Sequence, residues 1–441
     1  MLLSIEKLIY GGDGLARTAA GADGRAMTVF VPVVLPGERV EVEIRQEKPG
    51  LARGSVTQLI EASADRVEAR CPYFRQCGGC HYQHISYPRQ LEFKAAILRE
   101  TLQRIAKIEL KSEIRVHGSP PWNYRNRTRL QVRTAPEFAL GYLRVGSHEF
   151  LAVRECPISS PLINRVMARL LELDGLNCPT AVEEIELFAD AEDEHLLAWT
   201  FCGREADAPD LLRWAEAVGH EVPEICGVSF FSSRRVREDE TPDLRVLART
   251  GATAIRYRIQ DRAKKREYQV SAGAFFQVNR YLIDELVSVV TGDERGEVAL
   301  DLYAGVGLFS AVLAENFHHI FNVEASQTAH ADCVQNVPAN VKAVAARTEE
   351  YLRSENLKSR RVRTRPDLVV LDPPRSGAGK GVIRSLMELA ARRIRYVSCD
   401  PATLARDVAP LLAAGYHIEE THLFDLFPET FHIETVMLLA R

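Results

Sequence analysis

From about Gln269 to the C-terminus the chain alternates short apolar runs with helical stretches, and this alternation constrains the fold most. EVALDLYAG, HIFNVEA, DLVVLDPP and IRYVSCDP are runs of strand length with few polar breaks. Near-continuous apolar runs of this kind suit strands covered on both faces, as in a parallel sheet flanked by helices. The pattern predicts a Rossmann-like, doubly wound α/β domain over 266–441. Such sheets bind ligands beyond the carboxyl ends of their strands, so the residues that follow each run are the candidate site.

ALDLYAGVGLFS reads as a strand, a glycine turn and a helix start, with Gly305 and Gly307 letting backbone pass close to a ligand. Glu324 ends the next strand, nineteen residues after Gly305, where a carboxylate can accept from ribose hydroxyls. The third glycine of a dinucleotide fingerprint is missing, and Asp301 precedes the turn. S-adenosylmethionine fits this set better than a dinucleotide. Asp372-Pro373-Pro374 forms a stiff strand exit, because proline lacks an N–H and has a fixed φ. Cys399 ends the following strand, so Asp372 and Cys399 are expected to face one pocket. A cysteine there suits methylation at carbon rather than at nitrogen. Carbon 5 of uracil is a poor nucleophile, but thiolate addition at carbon 6 creates an enolate that can take a methyl group. Glu434 in FHIETV is the candidate base that removes the carbon 5 proton.

SCDPATLARD, LDPPRSG, AFFQVNR, LDLYAGVG and DLFPETFHIETV together resemble the RNA 5-methyluridine methyltransferase family, in the family's order. The resemblance implies cofactor contacts at Gln277, Tyr303, Glu324 and Asp372, nucleophile Cys399 and base Glu434. Two positions depart from the family: Asp400 stands where Asn is usual, and Leu308 stands where the glycine loop usually reaches an Asn.

Upstream, residues 1–62 read as short alternating strands, among them TVFVP and ERVEVEIRQ, separated by GGDG, GADG and LPGE turns. They predict a small OB-like β-barrel and resemble the TRAM domain, an RNA-binding module. Residues 63–265 are expected to form a central α+β domain. Its helix near 87–106, with Leu91, Ala95, Leu98 and Leu102 on one face, could pack on the methyltransferase domain. Three cysteines crowd into CPYFRQCGGC, at spacing C-x5-C-x2-C, and Cys156 follows in RECPIS. Zinc sites more typically show two C-x2-C pairs. Cys71, Cys77, Cys80 and Cys156 are therefore read as ligands of a [4Fe-4S] cluster. The same segment resembles the cluster-bearing members of the family. Cys178, Cys202, Cys226 and Cys333 read as core.

The net charge of −4 speaks against a polyanion partner, but the distribution does not. Six arginines lie between Pro120 and Arg154, and six basic residues lie between Tyr351 and Arg365. Glu183 to Glu194 carries seven acids. This asymmetry predicts one face for RNA. YRNRTRLQVR offers Tyr124, Arg125, Arg127, Arg129 and Arg133 for phosphates and bases. The expected product is 5-methyluridine in RNA. Having both barrel and cluster resembles the 23S ribosomal RNA members of the family, which implies that substrate; transfer RNA is the alternative substrate, and a non-catalytic RNA-binding or assembly factor is the alternative of another class. Uneven cysteine spacing, no apolar run of membrane length and no secretion-type N-terminus lead to a cytoplasmic enzyme without a membrane partner; a monomer without an obligate protein partner is expected.

Overall fold

The computed structural model describes residues 1–19, 26–203, 206–232, 245–353 and 365–441. The GADG turn and most of the basic run between Tyr351 and Arg365 lie outside them. The first five strands alternate buried and exposed residues, as a small barrel requires. β1 (Leu2–Leu8), β2 (Asp13–Arg17), β3 (Thr28–Pro32), β4 (Arg39–Lys48) and β5 (Leu51–Glu61) close in the order β1-β2-β3-β5-β4 around Leu3, Ile5, Val29, Val31 and Val40.

The long helix α1 (Tyr87–Ala106) and the short strand β6 (Arg115–His117) come next. A seven-stranded sheet follows, with β7 (Arg127–Arg133), β8 (Ala139–Leu143) and β9 (Phe150–Ala152), then helix α2 (Pro161–Glu172). It continues with β10 (Val182–Ala189), β11 (Leu196–Cys202), helix α3 (Ala208–Glu221), β12 (Ile225–Ser232) and β13 (Val246–Gly251). The spatial order is β13-β12-β11-β10-β7-β8-β9. A separate hairpin joins β14 (Ala254–Asp261) to β15 (Lys264–Ser271). The boundary expected at 265 falls inside β15, where hairpin pairing leaves no room for a linker.

The C-terminal region delivers the alternation. Its elements are α4 (Ile283–Thr291), β16 (Gly296–Leu302), α5 (Ser310–Leu313), β17 (Phe317–Glu324), α6 (Gln327–Asn336), β18 (Val341–Ala345), α7 (Thr348–Arg353), β19 (Leu368–Leu371), α8 (Gly379–Leu389), β20 (Arg393–Ser398), α9 (Pro401–Ala413), β21 (His417–Phe424) and β22 (Glu434–Ala440). Their sheet runs β18-β17-β16-β19-β20-β22-β21-β6. β16 to β20 pair in parallel, and β22 inserts antiparallel to β20 and β21. The chain reverses its winding between β16 and β19, which opens a crevice at their carboxyl ends. β6, contributed from far upstream, pairs in parallel with β21 at the sheet edge.

α1 packs against α9, and its buried face differs from the apolar stripe expected. Gln90, Lys94, Ile97, Leu98, Thr101 and Leu102 are buried, while Leu91 and Ala95 are half-buried. The face turns because Lys94 and Gln90 have polar partners in the C-terminal region. Lys94 Nζ donates to Asp425 (2.6 Å) and to the Phe427 carbonyl (3.1 Å). Gln90 Nε2 donates to Glu429 (3.1 Å). Among the described residues no helix is long and apolar enough to cross a membrane.

Candidate active site

Three carboxylates meet at the switch-point crevice. Asp301 is fully buried near the end of β16, and its Oδ2 accepts from Ser310 Oγ (2.6 Å). Glu324 ends β17, and its oxygens accept the Gly305 N–H (2.8 Å) and the Ser326 N–H (2.6 Å). Asp372 follows β19, and its N–H donates to the Leu302 carbonyl (3.3 Å). Burial, with Glu324 beside it, pushes the Asp301 carboxyl up to about 7. Burial together with Asp301 and Glu324 pushes Asp372 up to about 7 as well. A crevice with this field suits a ligand carrying positive charge. Tyr303 (φ 63°) and Gly305 (φ 56°) turn the chain here through left-handed backbone, and a Cβ on Gly305 would meet nothing within 4 Å. Gly307 differs, since its Cβ would lie 2.9 Å from Val337 and 3.0 Å from Cys333. Gln277 is buried before α4, and its backbone carbonyl accepts from Asn126 (3.2 Å). The hydrogen bonds among Gly305, Glu324 and Ser326 do not include it.

Cys399 lies one residue past β20 and Glu434 opens β22, whose antiparallel register sets Ser398 opposite Thr435. The pairing therefore places nucleophile and base candidates at the same end of two neighbouring strands. Cys399 is half-buried, and burial with Glu434 and Asp372 nearby pushes its thiol up to about 12. Glu434 is buried, and its carboxyl is raised well above the usual range by burial and then by Asp372. Arg375 pulls both groups back down. This exposed arginine of the LDPPRSG loop stands 3.4 Å from His432 and was not singled out from the sequence, although it lies within a motif that was.

Both residues that depart from the family pattern have a defined local setting. Asp400 caps α9, with its Oδ1 accepting from Ala402 N–H (3.0 Å) and Thr403 N–H (2.8 Å) ahead of a proline at the helix start. Asp and Asn serve this cap equally well. Leu308 is buried in the core, and its carbonyl accepts from Tyr268 (3.0 Å).

Cys71, Cys77, Cys80 and Cys156 line one cavity of about 210 Å³. Burial raises the Cys71 and Cys80 thiols and pushes Cys77 up to about 11, and the nearby Cys156 adds to the rise in all three. The Gly79 N–H points at Cys77 Sγ (3.4 Å), and Arg125 lines the same cavity. Among the described residues no three His, Cys, Asp or Glu side chains form a group that could hold a single metal ion. Cys178, Cys202 and Cys333 are buried, and Cys226 is half-buried.

The arginine-rich segment needs correction. Tyr124 is fully buried and donates to the Pro428 carbonyl (3.1 Å), so it cannot stack on a base. The acidic run is no separate face: β10 pairs with β7, setting Glu186 opposite Arg129. Glu186 pairs with Arg127 and with Arg129 (2.9 Å), and the Arg127 side chain is 13% exposed. Arg127 is thereby held within the protein, whereas Arg129, which also meets Glu184 (3.5 Å), keeps an exposed side chain. Arg133 is exposed and stacks over Phe150.

A family model described as tRNA (Uracil-5-)-methyltransferase matches residues 249–441, and a TRAM domain model matches 1–57. An RNA methyltransferase of Halalkalibacterium halodurans is 31% identical, covering 99% of this chain and 96% of its own. The chain belongs to the RNA (uracil-5-)-methyltransferase family. It is an S-adenosylmethionine-dependent enzyme that methylates carbon 5 of uracil in RNA. Within the family, a 23S rRNA (uracil(1939)-C(5))-methyltransferase of Halomonas elongata is 32% identical over all of this chain and 89% of its own. The crystal structure of the Pyrococcus abyssi tRNA (uracil-54, C5)-methyltransferase, in complex with S-adenosyl-L-homocysteine, superposes with a TM-score of 0.73 at 25% identity, covering 99% of both chains.

Proposed function

We propose that this methyltransferase acts on one uridine of 23S ribosomal RNA through a covalent bond between Cys399 Sγ and carbon 6 of uracil. The observation that carries the reading is the common end of β20 and β22, where Cys399 and Glu434 stand beside Asp372. The Cys399 thiol gives its proton to solvent as sulfur bonds to carbon 6, and the electron pair of the double bond moves onto the uracil carbonyl as an enolate. Arg375 favours the thiolate. S-adenosylmethionine supplies the electrophilic methyl group that carbon 5 takes up. Gln277, Tyr303, Gly305, Glu324 and Asp372 are assigned to hold it, and the three converging carboxylates support that assignment. Glu434, once ionised, removes the carbon 5 proton, the double bond re-forms, and the sulfur–carbon 6 bond breaks to release the thiolate.

Cys71, Cys77, Cys80 and Cys156 are assigned to a [4Fe-4S] cluster. Their convergence on one cavity fits a four-thiolate donor set, and their C-x5-C-x2-C spacing is not that of two C-x2-C zinc pairs. No chemical step above depends on the cluster, which would join the 71–80 loop to the turn before α2. The full-length likeness to the Halomonas enzyme supports ribosomal RNA, whereas the Pyrococcus likeness favours transfer RNA as the second reading. Unpaired cysteines throughout the chain support a reducing, cytoplasmic setting. Mass-spectrometric mapping of 5-methyluridine in both RNAs from a deletion strain tests the assignment. Loss of one methyl group from 23S ribosomal RNA is expected, and loss confined to transfer RNA would establish the second reading instead.

A further inference from the structure

The barrel reaches the nucleophile. Tyr10 lies in the turn after β1, before Gly11 (φ 108°) and Gly12 (φ 96°), whose backbone favours glycine. The turn seats against the cysteine loop: a Cβ on Gly12 would lie 3.3 Å from His81 Cβ, next to Cys80. From this seat the Tyr10 hydroxyl donates to the backbone carbonyl of Cys399 (3.3 Å), 389 residues away in sequence. The other side of that peptide is also held, since Ser398 Oγ accepts the Asp400 N–H (3.3 Å). Asp400 is fixed in turn by its cap on α9. The Tyr10 ring meets Phe431 edge-on, with centroids 5.5 Å apart at 88°, and Phe431 packs on His81 at 4.6 Å. Phe431 stands three residues before Glu434.

We infer that Tyr10 is a positioning residue for the nucleophile: its hydroxyl fixes the Cys399 peptide and so the direction in which the thiol approaches carbon 6. The ring contact on Phe431 steadies the approach to Glu434 from the same side. The barrel is thereby a structural part of the catalytic centre as well as an RNA-binding module. Burial and the neighbouring Asp400 and Cys399 keep the phenol protonated, so it acts as a donor throughout the working pH range. The cofactor-binding carboxylates lie on other strands and make no hydrogen bond to Tyr10 among those described.

This inference rests on Cys399 being the nucleophile, and its test separates the two ideas. Full-length wild type, Tyr10→Phe, Tyr10→Ala and Cys399→Ala are mixed with S-adenosylmethionine and 5-fluorouridine-substituted transcripts of 23S ribosomal RNA and of transfer RNA. The rate of covalent adduct formation is followed under single turnover, and binding of transcript and cofactor is measured separately. Tyr10→Phe keeps the ring and loses one hydrogen bond, so its adduct rate should fall about fivefold with both affinities within twofold of wild type. Tyr10→Ala, which also loses the ring contact, should fall further. A wild-type rate for Tyr10→Phe, or a loss matched by an equal loss of RNA affinity or thermal stability, overturns the positioning role. A wild type that forms no adduct with either transcript overturns the nucleophile reading itself, as does an adduct formed by Cys399→Ala.

Discussion

Lys94→Met should loosen the segment that leads to Glu434 without unfolding the molecule. Lys94 and Asp425 are both fully buried and form an ion pair of 2.6 Å between α1 and the stretch after β21. Removing one partner of such a pair leaves a buried charge uncompensated, which costs about 3–5 kcal/mol. The Phe427 carbonyl loses one of three donors, but the Thr430 N–H and hydroxyl still reach it, so the ion pair sets the cost. A cost of about 4 kcal/mol corresponds to roughly a thousandfold rise in the opening equilibrium. Global unfolding of a multidomain chain is a poor readout, so hydrogen exchange of a peptide spanning 425–434 is the assay. It contains the Asp425, Glu429 and Thr430 amides, which donate to His117, Gln90 and Phe427. Exchange there should accelerate by two to three orders of magnitude at unchanged exchange in the barrel. Lys94→Met with Asp425→Leu should recover most of the protection, because a well-packed apolar pair often replaces a buried ion pair without loss. Exchange within threefold of wild type in Lys94→Met would refute the reasoning.

Further outcomes follow from the same geometry. Asp400→Asn should keep wild-type stability and adduct formation, whereas Asp400→Ala should lose about 1 kcal/mol by chemical denaturation through loss of the α9 cap. Burial pushes the Glu429 carboxyl from 4.5 up to about 7, so its contribution to stability is full below 4.5 and is lost as pH rises through 7. Glu429→Gln should therefore match wild type at pH 4 and be more stable at pH 8, by at most about 3 kcal/mol; equal stability at pH 8 contradicts the assignment. Anaerobically purified protein should be brown and carry about four irons per chain; one equivalent of zinc without iron contradicts the cluster. Glu434→Gln should methylate once and stall, accumulating a methylated RNA adduct visible on a denaturing gel, and turnover near the wild-type rate would remove Glu434 from the base role.

The C-terminal sheet was legible because its strands carry their own signal. β19 and β22 are buried at every position, and apolar runs of that kind have few other places in a fold. The order of the site motifs was legible for the same reason, since each follows a strand. Other features depend on pairings that a linear reading does not contain. β6 is three largely exposed residues whose partner strand lies some 300 residues on, so no local pattern marks it. The charge blocks at 125–133 and 183–194 look like two faces in sequence, but the β7–β10 register joins them and ties Arg127 and Arg129 to Glu186. Lys94 reads as solvent-facing in an amphipathic helix until Asp425 is placed beside it. Tyr10 looks like an ordinary turn residue in a barrel, and only the docking of that turn on the Cys399 loop gives it a role.

The central claim is that Cys399 attacks carbon 6 of the target uracil. The most direct measurement is peptide mass spectrometry of the complex trapped on 5-fluorouridine RNA with S-adenosylmethionine, after nuclease and protease digestion. The account predicts one modified peptide, containing Cys399 and carrying a methylated fluorouridine nucleotide. A nucleotide attached to any other cysteine, or an unmodified Cys399 peptide alongside methylated RNA, would contradict it.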